Sequence, residues 1–377
     1  MIQDILKNPK RIFGLDIMRA TAILMVLSSH SLWIYPESNS FLVQVLKLFG
    51  FLGVEIFFVL SGFLIGKILY DKFVNDDFSL KEVIVFLKRR WFRTLPNYYL
   101  ILIINILIAL VIGYNTNEIW KYFFFLQNFS DPLPRFFNES WSLSVEEWTY
   151  LLLPILLFLL TNVSNVQKKY LFLFLTVFLI FLFQTNKIIH YFITEDPKIL
   201  QWNYTLKSVV IYRVDAIIFG VLARWFYINY LEQCKKYKFH LAFLGVLFMS
   251  VLYFGQSFFV KSDADNILFY TVFLLPLNSM TLCLFFPFLY DFNFKNSILT
   301  KIITYISLIS YSLYLVHYGI VLQLMKFYFP TEKYTTSELY IYTIIFLVIT
   351  FSISSLLYFF YEKPLIDLRD ISRKQKI

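Results

Sequence analysis

Apolar residues occur along this chain in long continuous runs, not in the one-sided stripes of helices in soluble proteins. Each run stays apolar all round for close to the ~20 residues that a helix needs to cross a bilayer. Short polar segments separate the runs. The pattern predicts about ten membrane-spanning helices, at residues 14–34, 47–69, 97–114, 143–161, 169–185, 207–227, 239–259, 267–290, 305–327 and 338–360.

The composition agrees with an all-α, polytopic membrane protein. The 377 residues are 59% hydrophobic and only 16% charged, against roughly 25% charged residues in ordinary soluble domains. We expect one transmembrane domain over residues 1–377, with no appended soluble domain. Cys234 and Cys283 lack metal-ligand spacing, so we expect neither a metal site nor a structural disulfide.

The formal net charge of +9 comes from basic loops. Lys and Arg are concentrated on the N-terminal side of the predicted membrane, and the densest cluster is at 87–93. An excess of this kind is typical of cytoplasmic loops beside anionic lipid. We therefore expect both termini in the cytoplasm, the loop 115–142 outside, and membrane lipid, not nucleic acid, as the partner of the basic surface.

The first predicted span contains two ionisable residues, Arg19 and His30. Their separation of eleven residues places both on one helix face, about 16 Å apart along the axis. Ionisable residues inside a membrane are functional candidates by default. The alternative is that Arg19 extends to the headgroups while His30 makes a structural hydrogen bond.

The second predicted span contains Glu55 at a depth close to that of His30. A carboxylate beside an imidazole would fix its tautomer and raise its basicity. The alternative is an ion pair that only holds two helices together. Ser61 lies between small residues, which would let a helix or a thin ligand approach closely.

Three arginines, Arg89, Arg90 and Arg93, precede the third predicted span on the cytoplasmic side. A helical turn would cluster them, and arginine is suited to bidentate phosphate binding. The pattern favours a phosphorylated ligand. The alternative is a simple topology signal beside anionic lipid.

The fourth predicted span begins with a segment rich in Trp, Ser and Glu. Trp141 suits the membrane interface. We expect Glu146 and Glu147 in the first helical turn, where either carboxylate would complement the helix dipole. Glu146 would share a face with Tyr150, pointing into the bundle from the outer side.

Further polar residues occur in the sixth and ninth predicted spans. Arg213 and Asp215 lie in the outer half of the sixth span. Ser310, Tyr314 and His317 share one face of the ninth by their spacing. His317 is either a second ligand-facing group or a core histidine, and the pattern slightly favours the core.

Motifs of several familiar enzyme classes are absent from the sequence, including G-x-S-x-G, Walker A, HExxH and CxxC. A histidine with a nearby carboxylate and no evident nucleophile suits general-base activation of an acceptor hydroxyl. The competing interpretation is a transporter or flippase for a lipid-linked sugar or small anion, which would also need charges inside the membrane. The sequence contains no internal repeat of the kind common in transporters.

Seven ordered motifs resemble the membrane acyltransferase 3 family, which includes bacterial O-antigen and exopolysaccharide O-acyltransferases. They cover essentially the whole chain: the Arg19–His30 pair, GVEIFFVLSGFLIG (53–66), RRWFRTLP (89–96), WSLSVEEWTY (141–150), YRVDAIIFGVL (212–222), SYSLYLVH (310–317) and YEKP (361–364). The resemblance implies about ten helices and transfer of an acyl group, usually acetyl, from cytoplasmic acyl-CoA to an acceptor on the outer face. It also implies a multi-pass protein of the bacterial plasma membrane, the inner membrane where there are two.

The resemblance assigns roles to individual residues. It implies that His30 is the essential histidine, with Arg19 as its paired arginine, and that Glu146 is the glutamate of the outer motif. The three arginines at 89–93 would serve the CoA donor. We expect a supporting pocket from Glu55, Ser61, Trp141, Tyr150, Arg213, Asp215, Tyr311, Tyr314 and His317.

The acceptor is left open among a polysaccharide such as O-antigen of lipopolysaccharide, a lipid-linked sugar, a lipid and a small metabolite. Acyl-CoA is expected as a substrate, with no permanently bound cofactor. Some relatives carry a fused esterase-like domain, and this sequence ends at 377 without one. Any second catalytic partner is therefore expected to be a separate protein or to be unnecessary.

Overall fold

The computed structural model describes residues 11–38, 40–113, 115–134, 136–163, 165–194, 202–255, 263–294 and 298–374. Every regular element within these ranges is helical, which confirms the all-α prediction. The long helices are α1 (Phe13–Ser31), α2 (Phe41–Asn75), α3 (Leu80–Ile112), α4 (Ser140–Leu159), α5 (Lys168–Ile193), α6 (Val214–Asn229), α7 (Lys238–Phe254), α8 (Leu274–Cys283), α9 (Ile298–Val316), α10 (Thr336–Leu357) and α11 (Lys363–Lys374). Short helices are Trp120–Phe123, Leu231–Lys236, Asp263–Leu268, Phe286–Asp291 and Gln323–Tyr328.

Eight helical segments in the described part of the chain are long and apolar enough to cross a membrane, so the protein is a multi-pass membrane protein. The other two predicted spans, 207–227 and 239–259, coincide with α6 of 16 residues and α7 of 17 residues. The count of ten and the cytoplasmic termini stay predictions.

Several helices are longer than the apolar runs that predicted them. Helix α3 begins at Leu80, so the arginine cluster lies inside it and not in a preceding loop. Helix α9 continues through a wide π-helical turn, His317–Leu322, into Gln323–Tyr328. Such turns insert an extra residue into a helix and are frequent at functional sites.

Helices α2 and α6 pack backbone against backbone at the centre of the bundle. A Cβ atom on Gly62 would lie 1.8 Å from the carbonyl oxygen of Ile217, and one on Gly220 would lie 2.1 Å from that of Val59. Only glycine fits at these two positions, as is common where membrane helices approach closely. The other faces of α2 pack against α1 and α4, which brings the first, second and fourth helices of the chain together.

Candidate functional site

A cavity of about 110 Å³, which we call the inner chamber, lies between α1, α2, α3, α4 and α9. Its polar lining combines three guanidinium groups with one carboxylate and several hydroxyl groups. These residues are Arg19, Ser61, Arg90, Arg93, Thr94, Ser142, Glu146, Tyr150, Ser310, Tyr311 and Tyr314. Three helices distant in sequence thus bring the predicted arginines and the predicted glutamate into one space.

A second cavity of about 310 Å³, the vestibule, adjoins the inner chamber toward the N-terminal end of α1. The two cavities share Arg19, Leu64 and Arg93. The vestibule adds Arg11 and Glu362, among other residues, to this lining. The two cavities therefore adjoin, the vestibule at the start of α1 and the inner chamber deeper in the bundle.

Arg19 is held in place by a small network at this junction. Its Nη1 atom donates to Ser307 Oγ at 3.2 Å and lies 3.7 Å from a carboxylate oxygen of Asp16. Ser307 in turn donates to Asp16 at 2.7 Å, and Arg11 donates both of its contacts to the same carboxylate, at 2.6 and 2.9 Å. Asp16 is buried, so the network fixes the Arg19 side chain where the cavities meet.

The predicted arginine triplet is divided by the helix that carries it. Arg90 and Arg93 line the inner chamber, and the guanidinium of Arg90 lies 5.8 Å from the ring centre of Tyr150. Arg89 lies on the exposed side of α3. Successive helical residues diverge by 100°, so Arg89 and Arg90 point in different directions, and Arg93 lies between them, about 40° from Arg89.

Glu146 and Tyr150 form a hydrogen-bonded pair on the chamber wall. Tyr150 Oη lies 3.0 Å from Glu146 Oε2 and 2.6 Å from Ser61 Oγ. The expectation that Glu146 lies in the first helical turn is wrong, because α4 begins earlier, at Ser140. Glu147 points elsewhere and accepts a hydrogen bond from Thr94 Oγ1 at 2.7 Å.

The part of the inner chamber that Ser142 and Tyr314 line is near His317. There Ser142 and Tyr314 are joined by a hydrogen bond of 2.7 Å between their hydroxyl oxygens. The Tyr314 ring centre is 5.9 Å from that of His317. Tyr311 also lines the chamber and donates to the carbonyl oxygen of Thr94 at 2.8 Å.

His30 and His317 stack with their ring centres 4.9 Å apart, and His30 Nδ1 lies 2.6 Å from His317 Nε2. His317 Nδ1 lies 2.8 and 3.0 Å from the carbonyl oxygens of Tyr314 and Leu313. Carbonyls only accept, so in the neutral pair His317 carries its proton on Nδ1 and accepts through Nε2. His30 then donates from Nδ1, and its Nε2 is the basic atom.

This contact adds a partner to His317 and leaves it in the core position that the sequence slightly favoured. His317 is fully buried, whereas His30 is only partly buried. The two residues are 287 positions apart, and the sequence contains no signal that links them.

The prediction that Glu55 is the carboxylate next to His30 is wrong. Glu55 pairs with Arg213, and both side chains are fully buried. Asp215 pairs with Lys187, which sequence reasoning missed. Buried pairs of this kind are costly to break. They connect α2, α5 and α6, so Arg213 and Asp215 brace the bundle and do not line the chamber.

Trp141 is also buried, with 8% of the residue exposed. It packs edge-on against Phe58, 5.6 Å between ring centres, and Lys207 lies 5.7 Å from its ring. Among the described residues, no group of three or more His, Cys, Asp or Glu side chains is arranged to hold a metal ion.

Sequence reasoning also missed Glu139, which supports the wide turn after α9. Its Oε1 accepts the backbone N–H of Gly319 at 2.8 Å, and the side chain is buried. Burial raises the pKa of Glu139 to about 7. Glu139 lies two positions before the motif at 141–150, and a contact with residue 319 is not visible in the sequence.

Comparison with known proteins supplies the family. A family model described as an acyltransferase domain matches residues 12–359. The O-acetyltransferase OatA of Staphylococcus aureus is 25% identical over 392 aligned residues, covering 95% of this chain and 58% of that protein. The peptidoglycan O-acetyltransferase OatA of Listeria monocytogenes is 28% identical over 162 residues, 38% of this chain and 24% of that protein. No solved structure matches the chain.

The match to the family model runs through α1 to the end of α10, and so includes every helix that lines the inner chamber. This chain spans little more than half the length of the S. aureus relative. The chain belongs to the acyltransferase 3 family of membrane proteins.

Proposed function

We propose that this protein is an acyl-CoA-dependent membrane O-acyltransferase that transfers an acetyl group to a sugar hydroxyl. One observation carries the proposal: two cavities that share Arg19 and Arg93 extend from the start of α1 to Tyr314, whose ring centre lies 5.9 Å from that of His317, the partner of His30. The relatives' names, O-acetyltransferase and peptidoglycan O-acetyltransferase, support acetyl as the transferred group and a polysaccharide as acceptor.

The donor enters from the cytoplasm in this proposal. Arg11, Arg19 and Arg93 line the vestibule and are suited to the phosphates of CoA, since guanidinium groups bind phosphate oxygens in a bidentate manner. The inner chamber is narrow and partly apolar, which suits an extended pantetheine arm. The thioester would then lie beyond Tyr314, beside the histidines.

The chemistry is direct acyl transfer with one base. His30 Nε2 takes the proton of the acceptor hydroxyl while the oxygen attacks the thioester carbonyl. The new C–O ester bond forms, the C–S bond breaks, and the histidine returns the proton to the departing CoA thiolate. General-base help supplies about 10²–10⁴-fold, so most of the acceleration comes from positioning both substrates.

The acceptor is reached from the opposite side of the membrane. His30 lies about 16 Å from Arg19 along α1, so donor phosphates and reacting hydroxyl occupy different depths. In this proposal the enzyme resides in a bacterial plasma membrane, and the acetylated glycan is on the outer face.

The test is acetyl transfer by purified protein in lipid vesicles. Radiolabelled acetyl-CoA is supplied with a peptidoglycan-derived oligosaccharide, and products are identified by mass spectrometry. We expect an added acetyl mass with wild type, none with His30→Ala, and normal yield with His240→Ala, which changes an exposed histidine. Equal yields from both variants would exclude His30 as the base. Movement of a sugar or an anion without consumption of acetyl-CoA would exclude an acyltransferase.

A further inference from the structure

A third cavity, which we call the outer pocket, lies at the end of α1 beyond His30. Its volume is about 360 Å³, within the ~300–1,000 Å³ typical of small-molecule sites. The ends of α1 and α3 and the segment after α9 enclose it. On α3, Arg93 of the chamber and Ile112 of the outer pocket are nineteen residues apart, roughly 28 Å. The outer pocket therefore lies well along α3 from the arginines of the inner chamber.

The outer pocket is close to the same histidine pair, through an aromatic side chain that contacts His30. Tyr318 lines it, and the Tyr318 ring centre is 5.0 Å from that of His30. Trp33, in the helical turn after His30, lines it as well. The inner chamber meets the pair through Tyr314 and His317 instead. His30 therefore lies beside a ring that lines the outer pocket, and His317 lies beside a ring that lines the inner chamber.

The lining of the outer pocket is aromatic with one cation. Trp33 is 54% exposed and Phe327 is 45% exposed, so their rings are accessible to a ligand. Lys326 donates to the backbone carbonyl of Trp33 at 2.8 Å, which uses one of the three N–H donors of its ammonium group. A hexose ring has apolar C–H faces and hydroxyls at its edge, so it matches aromatic faces beside an ammonium donor. A CoA phosphate group would instead require several cations.

We propose that the outer pocket is the binding site for the acceptor sugar, whose ring rests on Trp33 and Phe327 with one hydroxyl directed at His30. This inference rests on the proposed function, because it names the place from which that function takes its acceptor. Donor and acceptor then approach one base from opposite compartments, and neither has to leave before the other binds.

The test separates acceptor binding from donor binding by steady-state kinetics in lipid nanodiscs. The acceptor is a soluble N-acetylhexosamine tetrasaccharide, and the donor is acetyl-CoA. We expect Trp33→Ala to raise the acceptor KM by about 10- to 30-fold, as for loss of an aromatic contact at the centre of a binding site. The KM for acetyl-CoA and the slow hydrolysis of the thioester are expected to be unchanged. Trp33→Phe is expected to restore most of the affinity.

Trp120→Ala is the matched control, because Trp120 is a tryptophan of nearly equal exposure, 56%, and lies outside the outer pocket. Phe327→Ala is expected to behave like Trp33→Ala. If wild type acetylates the tetrasaccharide and both pocket variants keep its KM, the outer pocket is not the acceptor site. If wild type only hydrolyses acetyl-CoA or acetylates a lipid, the proposed transfer to a saccharide fails, and this inference fails with it.

Discussion

His317 decides which nitrogen of His30 is basic, and this role can be tested without altering His30. In His317→Leu the acceptor that lies 2.6 Å from His30 Nδ1 is lost. The His30 N–H then either stays buried and unpaired, at a cost of about 1–3 kcal/mol, or the proton moves to Nε2. In the second case the atom that would accept the substrate proton is occupied.

The expected loss follows from the size of general-base catalysis. A base contributes about 10²–10⁴-fold, and a wrong histidine tautomer in a serine protease lowers kcat by roughly 10⁴. We expect His317→Leu to lower kcat about 10²–10³-fold, which is ~2.7–4.1 kcal/mol of barrier at 1.36 kcal/mol per decade. The amide oxygen of His317→Gln can replace Nε2 as acceptor, so this variant should lose less than about tenfold.

Two measurements check this prediction. Acetyl transfer under saturating donor gives kcat, and nitrogen NMR of labelled histidine in nanodiscs distinguishes Nδ1–H from Nε2–H. His30 should carry its proton on Nδ1 in wild type and His317→Gln, and on Nε2 in His317→Leu. Equal kcat in the two variants, or an Nε2–H signal for His30 in wild type, would refute the reasoning.

Three further predictions concern the chamber and its support. Arg93→Lys should weaken acetyl-CoA binding, measured by calorimetry, about tenfold, because lysine lacks the bidentate guanidinium group. Arg89→Lys on the exposed side of α3 should change the same affinity less than twofold, and equal effects would contradict the donor route. Glu146→Gln should lower kcat at least tenfold and Glu147→Gln less than twofold, since Glu146 lines the chamber and Glu147 bonds to Thr94; comparable losses in the transfer assay would argue against a chamber role. The pKa of Glu139 is raised from 4.5 to about 7 in the folded protein, so stability should fall as pH rises between these values, by at most about 1.4 kcal/mol per pH unit. Glu139→Gln should reduce the change of the unfolding temperature with pH between pH 5 and pH 8. An unchanged slope would show that Glu139 is not the group responsible.

Features that depend on one helix could be predicted from the sequence. The apolar spans follow from hydropathy, and the placement of Arg19 and His30 on one face of α1 follows from helical periodicity. The small residues beside Ser61 on α2 indicate a close helix contact, which the structure has at Gly62. Helix limits were less accurate, because hydropathy reports which residues suit lipid, whereas a helix continues wherever its backbone stays bonded. Helix α3 therefore begins at Leu80, well before its apolar run, and α4 begins with the serines that precede Glu146.

Features that depend on two distant helices could not be predicted in this way. Similar depth made His30 a reasonable partner for Glu55, but depth fixes only one coordinate. The rotation of α2 and its contact with α6 decide that Glu55 meets Arg213. The meeting of His30 with His317 depends likewise on the packing of α9 against α1 and on the wide turn that begins at His317.

The arginine lining of the inner chamber also bears on ion leakage. A route that admits a donor from one side and an acceptor from the other would endanger the membrane potential if protons or cations could follow it. Fixed positive charge in a narrow passage raises an electrostatic barrier to both. Arg19, Arg90 and Arg93 line a space of only about 110 Å³, so the groups suited to CoA phosphates would also repel cations. The same side chains would let this protein modify molecules across a membrane while the membrane stays sealed.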